Sequence, residues 1–180
     1  MKIVLNGFII LIMLSGSLQA QCDFKVNETS STGIKHVVTN FEWLSEKGVV
    51  ASFGITSFYD GTPHFNISVC FPGDEHFFID KEHEVTFHFK EGKPIKKNNY
   101  IKRGSKKSKY GVERCNVYAI PIDDELRTRF MKEKKECALT KLEFTHSLGQ
   151  EEVKIKKKYS NVIGNQVKCI YELSMDWPEK

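Results

Sequence analysis

Residues 49–73, VVASFGITSFYDGTPHFNISVCFPG, decide the fold. Val49, Ala51, Phe53, Ile55 and Tyr59 alternate with small or polar neighbours, broken only by Phe58. After Asp60-Gly61-Thr62-Pro63 the alternation resumes with Phe65, Ile67, Val69 and Phe71. Side chains repeat every two residues along a strand, so each run lays its apolar set on one face. Gly61 supplies a position for positive φ and Pro63 interrupts pairing, so the two runs predict a β-hairpin.

Working outward, Pro72-Gly73-Asp74 ends the second strand. Val85, Phe87 and Phe89 then point one way, with Glu84, Thr86, His88 and Lys90 opposite, before the turn Glu91-Gly92-Lys93. Cys115, Val117 and Ala119 form a shorter strand stopped by Pro121. Asp123 reads as a helix N-cap, with Asp124 and Glu125 in the first turn and Lys132, Lys134 and Lys135 towards the end, a polarity that suits the helix dipole. Leu126 and Phe130, four apart, would anchor this helix to a sheet. Leu142, Phe144 and His146 alternate up to the turn Ser147–Gln150, and Val153, Ile155, Lys157 and Tyr159 return as the second arm of a hairpin. Val167, Cys169, Tyr171 and Leu173 read as a last strand. Upstream, Val37, Val38, Phe41 and Trp43 read as core contributors. The expected class is all-β, an antiparallel sandwich or open barrel, with one short α-helix.

The first 20 residues, MKIVLNGFIILIMLSGSLQA, read as a signal peptide. They hold an early lysine, an apolar run from Phe8 to Leu14 and a small residue, Ala20, at the cleavage point. That run is too short to span a bilayer, which takes about 20 apolar residues. Residues 21–180 then form a single exported domain, periplasmic or secreted, that does not span the membrane. Lipid anchoring at Cys22 is disfavoured, because the preceding Gln21 is large and polar. Hydrophobic residues at 40% and charged ones at 28% are ordinary globular proportions, which disfavours long disorder. The net charge of +4 is too balanced to imply nucleic acid, and export argues against an intracellular nucleic-acid role.

Five cysteines, Cys22, Cys70, Cys115, Cys137 and Cys169, lie beyond the signal. An exported chain keeps disulfides, and an odd count leaves one thiol over. Cys115 and Cys137 bracket the expected helix, which favours a bridge between them. Cys70 points away from the apolar face of its strand and is a partner for Cys22 or the leftover thiol. Cys169 shares a face with Val167 and reads as buried.

The runs FFIDKEHEVTFHFKEGKPIKKNN (77–99), VYAIPIDDELRTRFMKEK (117–134) and ALTKLEFTHSLGQEEVKIK (138–156) carry a resemblance. Their F-x-I-D opening, I-x-x-E-L helix and K-L-E-F-T strand resemble an uncharacterised β-rich domain frequent in secreted proteins of Bacteroidetes. The resemblance spans roughly residues 65–160. It implies an all-β domain with one helix in a bacterial exported setting; no activity or catalytic residue carries over with it.

The chemistry scan finds no G-x-S-x-G, C-x-x-C, P-loop or Rossmann glycine pattern. His83 and His88 would project to opposite faces of a strand, so no metal site and no cofactor is expected. Asn27-Glu28-Thr29 and Asn66-Ile67-Ser68 fit the glycosylation sequon, Asn66 inside a strand. The positive signal is electrostatic. From Gly92 to Val112 there is no acidic residue, while Lys93, Lys96, Lys97, Lys102, Arg103, Lys106, Lys107 and Lys109 are joined by Tyr100 and Tyr110 in a weakly patterned loop. Lys154, Lys156, Lys157 and Lys158 would add to it if the last hairpin lies nearby. Such a loop suits an anionic glycan, lipopolysaccharide or an acidic protein, the alternative being a solvated surface. The leading expectation is a non-catalytic binding or structural module of the cell envelope or extracellular space. The alternatives are a hydrolase of an envelope polymer, with His64, Asp74, Glu75 and His76 as its only convergent candidates, and an inhibitor or immunity-type protein.

Overall fold

The computed structural model describes residues 24–29, 31, 35–40, 42–44, 48–57, 63–107, 113–131 and 138–175. The signal segment, Gln21, Cys22, the Asp60–Thr62 turn, Lys109 and Cys137 lie outside these residues. The strands are β1 (Phe24–Thr29), β2 (Lys35–Thr39), β3 (Glu42–Trp43), β4 (Val50–Ser57), β5 (Pro63–Pro72), β6 (Phe78–Ile79) and β7 (Glu84–Phe89). They continue with β8 (Ile95–Asn98), β9 (Arg103–Gly104), β10 (Lys106–Lys107), β11 (Glu113–Pro121), β12 (Leu139–His146) and β13 (Gly149–Lys154). The helices are α1 (Asp124–Met131) and α2 (Lys157–Met175). The protein is mostly β, as its alternation implies.

The decisive hairpin is present. β4 and β5 pair antiparallel from Val50 opposite Cys70 to Ser57 opposite Pro63. Pro63 takes the first position of β5, where a missing N–H costs little. Around this pair a seven-stranded sheet runs β1-β2-β4-β5-β11-β10, with β3 on β4. A four-stranded sheet runs β13-β12-β7-β8, and β6 pairs with β9. Phe53, Phe65, Ile67, Phe71 and Tyr118 of the first sheet, Phe87, Leu142 and Phe144 of the second and Phe130 of α1 belong to one buried cluster. Ring contacts join the sheets directly: Phe71 and Tyr118 lie 5.7 and 5.1 Å from Phe144. Phe130 wedges between them, 6.3 Å from Phe65 and 5.8 Å from Phe87. Offset aromatic packing of this kind adds to plain apolar burial.

α1 begins where its cap predicts, with the Asp123 carboxylate accepting the Leu126 N–H at 2.9 Å. Leu126 and Phe130 are its buried face. The expected last strand is instead α2. Ile163, Val167 and Ile170, all fully buried, are spaced four and three apart, a helical stripe that the period-two subset at 167–173 overlies. The Ser160 hydroxyl docks this helix on the Leu139 carbonyl of β12. Lys157 and Tyr159 therefore belong to α2 rather than to β13. Asn66 is 8% exposed and donates to the Thr56 hydroxyl, so the second sequon is buried in the sheet.

The cysteine pairing also departs from expectation. Cys115 bonds Cys70, not Cys137. The two sit directly opposite in the β5–β11 register, both on the sheet face that points away from the core. A cross-strand neighbour at a Cα separation of 4.0 Å outcompetes a partner across the helix. Cys169 is disulfide-bonded as well as buried, and its partner lies outside the described residues.

His146, at the end of β12, is 6% exposed and packs 4.5 Å from the Phe77 ring. Its Nδ1 accepts the Leu148 N–H, which leaves the proton of the neutral ring on Nε2. Burial depresses its pKa; Glu151 opposes the shift, and Arg114 and His83 reinforce it. A histidine held neutral gives its full stability above the unfolded value of 6.5, and loses it as pH falls from there towards the depressed folded value. The urea midpoint is expected to drop between about pH 7.5 and about pH 5.5, and the drop to be shallower in His146→Gln. Parallel pH profiles for the two proteins would refute this origin.

Candidate functional site

From Ile95 to Lys107 the basic segment is not a free loop. Residues 95–107 form a strap that laces the two sheets along one side. β8 pairs with β7, from Phe87 opposite Ile95 to Glu84 opposite Asn98. The chain then crosses to the other sheet, where the Tyr100 N–H donates to Ala119 O. Further on, β9 pairs with β6 and β10 with β11. β6 in turn reaches the turn after β12, since Ser147 N–H donates to Phe78 O and Phe78 N–H to the Ser147 hydroxyl. The strap thus closes one side of the sandwich.

Asn99 is the pin of this strap and is 2% exposed. Its amide donates to the carbonyls of Asp80 and Ile101 and its oxygen accepts the Ala119 N–H at 3.0 Å. One side chain therefore ties the β6–β7 turn, the strap and β11 together. Buried Arg114 does similar work at the other end. Its guanidinium donates to Glu75 O and Pro72 O and lies 5.5 Å from the Phe77 ring. Neither residue sits in a motif, because all their partners except Ile101 O are distant in sequence.

The cations divide into two groups. Lys97 is structural: it is 16% exposed and sits 2.6 Å from both Asp123 and Glu125, joining β8 to the start of α1. Burial opposes its charge, but the hydrogen bonds to the two carboxylates outweigh that and raise its pKa. Lys96 lies 3.6 Å from Glu84, and Lys93 is exposed in the β7–β8 turn. Lys102, Arg103, Lys106 and Lys107 are exposed together where the strap crosses to β6 and β11. Among the described residues none of these four has an ion-pair partner within 4 Å, although the charge of Lys102 helps to hold the Asp80 pKa down behind the Glu82 N–H and His83. Lys154, on β13, and Lys156 and Lys157, just beyond it, do not join this group, because β13 and β8 are opposite edges of the four-stranded sheet.

The hydrolase candidates are not brought together. His64 is 1% exposed near the start of β5, with its ring centroid 4.2 Å from that of Tyr100. Asp74, Glu75 and His76 are exposed beyond the far end of that ten-residue strand, roughly 30 Å away at 3.3 Å per residue. His76 Nδ1 approaches the Ser105 hydroxyl at 3.4 Å, but that hydroxyl accepts the Phe77 N–H at 3.0 Å and secures the strap. His83 pairs with Asp80, three residues before it, at 2.7 Å, and His88 with Glu143 across the β7–β12 pair at 3.2 Å. Among the described residues no group of three His, Cys, Asp or Glu is placed to hold a metal ion, and no helix is long and apolar enough to cross a membrane.

No family model, no curated protein and no solved structure matches this chain.

Proposed function

We propose that this protein is an exported, non-catalytic binding module for an anionic polymer of the cell envelope or extracellular space, using the exposed stretch of strap that carries Lys102, Arg103, Lys106 and Lys107. The observation that carries the reading is their arrangement. Four exposed cations fall within six residues of one hydrogen-bonded strap, about 17 Å of extended chain, with no acid in the sequence between Glu91 and Glu113. The strap is fixed by Asn99 and Ser105, so binding does not have to order a mobile loop first. Clustered like charge attracts polyanions and releases their counterions, and affinity then falls steeply with salt. The disulfide and the sequence features of the first 20 residues favour a compartment outside the cytoplasm.

Replacing Lys102, Arg103, Lys106 and Lys107 together with Gln is expected to weaken retention on heparin or lipopolysaccharide resin at least about tenfold. Surface changes of this kind alter stability by less than about 0.5 kcal/mol each, so the melting curve should stay nearly in place. Wild-type protein eluting with a charge-matched control would overturn the reading.

A further inference from the structure

Phe78 is 48% exposed, although its neighbours Phe77 and Ile79 are 3% and 0% exposed. It stands opposite Gly104 in the β6–β9 register, and Ile79 stands opposite Arg103. The ladder continues through Ser105 N–H to Phe77 O. Alternation along the strap then puts Lys102, Gly104 and Lys106 on the Phe78 face, with Arg103, Ser105 and Lys107 on the other. The pairing of Lys106 with Cys115, which points outward, agrees with this assignment. A Cβ built on Gly104 would meet nothing within 4 Å, and its φ is not positive, so the backbone does not demand glycine there. The missing side chain leaves an open floor beside the ring. Phe78 itself is held by two bonds to Ser147, from its N–H to the hydroxyl and from the Ser147 N–H to its carbonyl, by its place opposite Gly104 in the ladder, and by the edge-on His83 ring at 6.0 Å.

We infer that Phe78 and Gly104, flanked by Lys102 and Lys106, form a platform for a sugar ring of an anion-bearing glycan. The inference rests on the polyanion reading and narrows it to one ligand class. Lys102 and Lys106 are four residues apart on an extended strand, about 13 Å, too far for one sulfate or phosphate to bridge. They suit anionic groups carried on successive units of a chain. Between them, the exposed ring offers an apolar face against which the C–H face of a sugar packs, and Gly104 lets it approach. A chain without rings, such as polyphosphate, would gain from the lysines and nothing from Phe78.

The test titrates wild type, Phe78→Ala, Gly104→Leu and the quadruple Gln variant with a short heparin oligosaccharide, polyphosphate of matched charge, and phosphatidylglycerol vesicles. Phe78→Ala and Gly104→Leu are expected to weaken heparin binding about 3- to 10-fold and to leave polyphosphate binding unchanged, with melting curves close to wild type. Both variants binding heparin like wild type, while the quadruple variant does not, would overturn the platform and leave the polyanion reading standing. Equal losses on heparin and polyphosphate, or a loss confined to vesicles, would also overturn it. Wild type binding neither polyanion would remove both readings.

Discussion

Asn99→Ala is expected to cost about 2–4 kcal/mol of folding stability, a large effect for a residue in no motif. The side chain is 2% exposed and its three hydrogen bonds are long-range or span the strap. Asp80 O keeps the His83 N–H, so that carbonyl is not orphaned. The buried Ala119 N–H would lose its acceptor and Ile101 O its donor, and each such loss costs about 1–3 kcal/mol. For a domain of this size the melting temperature should fall by roughly 5–15 °C. Asn99→Asp is a sharper probe: it keeps an acceptor for Ala119 but turns a charged oxygen on two carbonyls, so it should be at least as damaging as Ala. A shift below about 0.5 kcal/mol for both variants would show that the strap is held by its strand pairing alone.

The contrast between this strap and the central hairpin explains what the residues disclosed. In β4 and β5 one face meets the core, so Ala51, Phe53, Ile55, Phe65, Ile67, Val69 and Phe71 repeat with period two. In the strap only Ile95 and Asn99 are buried, and the latter is polar, so a segment paired along most of its length has the composition of a solvated loop. Its order comes from partners on β6, β7 and β11, which local periodicity does not register. The same lack of distance information split the basic cluster: Lys97 looks like its neighbours in sequence, yet only folding sets it between Asp123 and Glu125. Phe78 is indistinguishable in sequence from Phe77 beside it, because an exposed aromatic is recognisable only once its neighbours are seen to be buried. α2 shows the converse error, since a residue subset at period two lies within any helix that is apolar over most of one side.

Removing the Cys70–Cys115 bridge is expected to have the largest single effect on stability. The cysteines are 45 residues apart in sequence, and in the chain-entropy model closing a loop of that length stabilises by about 4 kcal/mol. The enclosed segment contains β6 to β10, and therefore the strap with Lys102, Arg103, Lys106 and Lys107. Opening the loop frees that segment in the unfolded chain while the β5–β11 ladder still holds it in the folded one. The double variant Cys70→Ala, Cys115→Ala should therefore melt well below wild type yet keep its heparin affinity within about twofold when assayed below its own transition. Lys106 sits opposite Cys115 but is positioned by the β10–β11 backbone pairing rather than by the sulfur bond, which is why affinity and stability should separate. Affinity lost in parallel with stability would mean that the bridge, and not the ladder, places the basic face; an unchanged melting temperature would mean that the unfolded chain gains nothing from the opened loop.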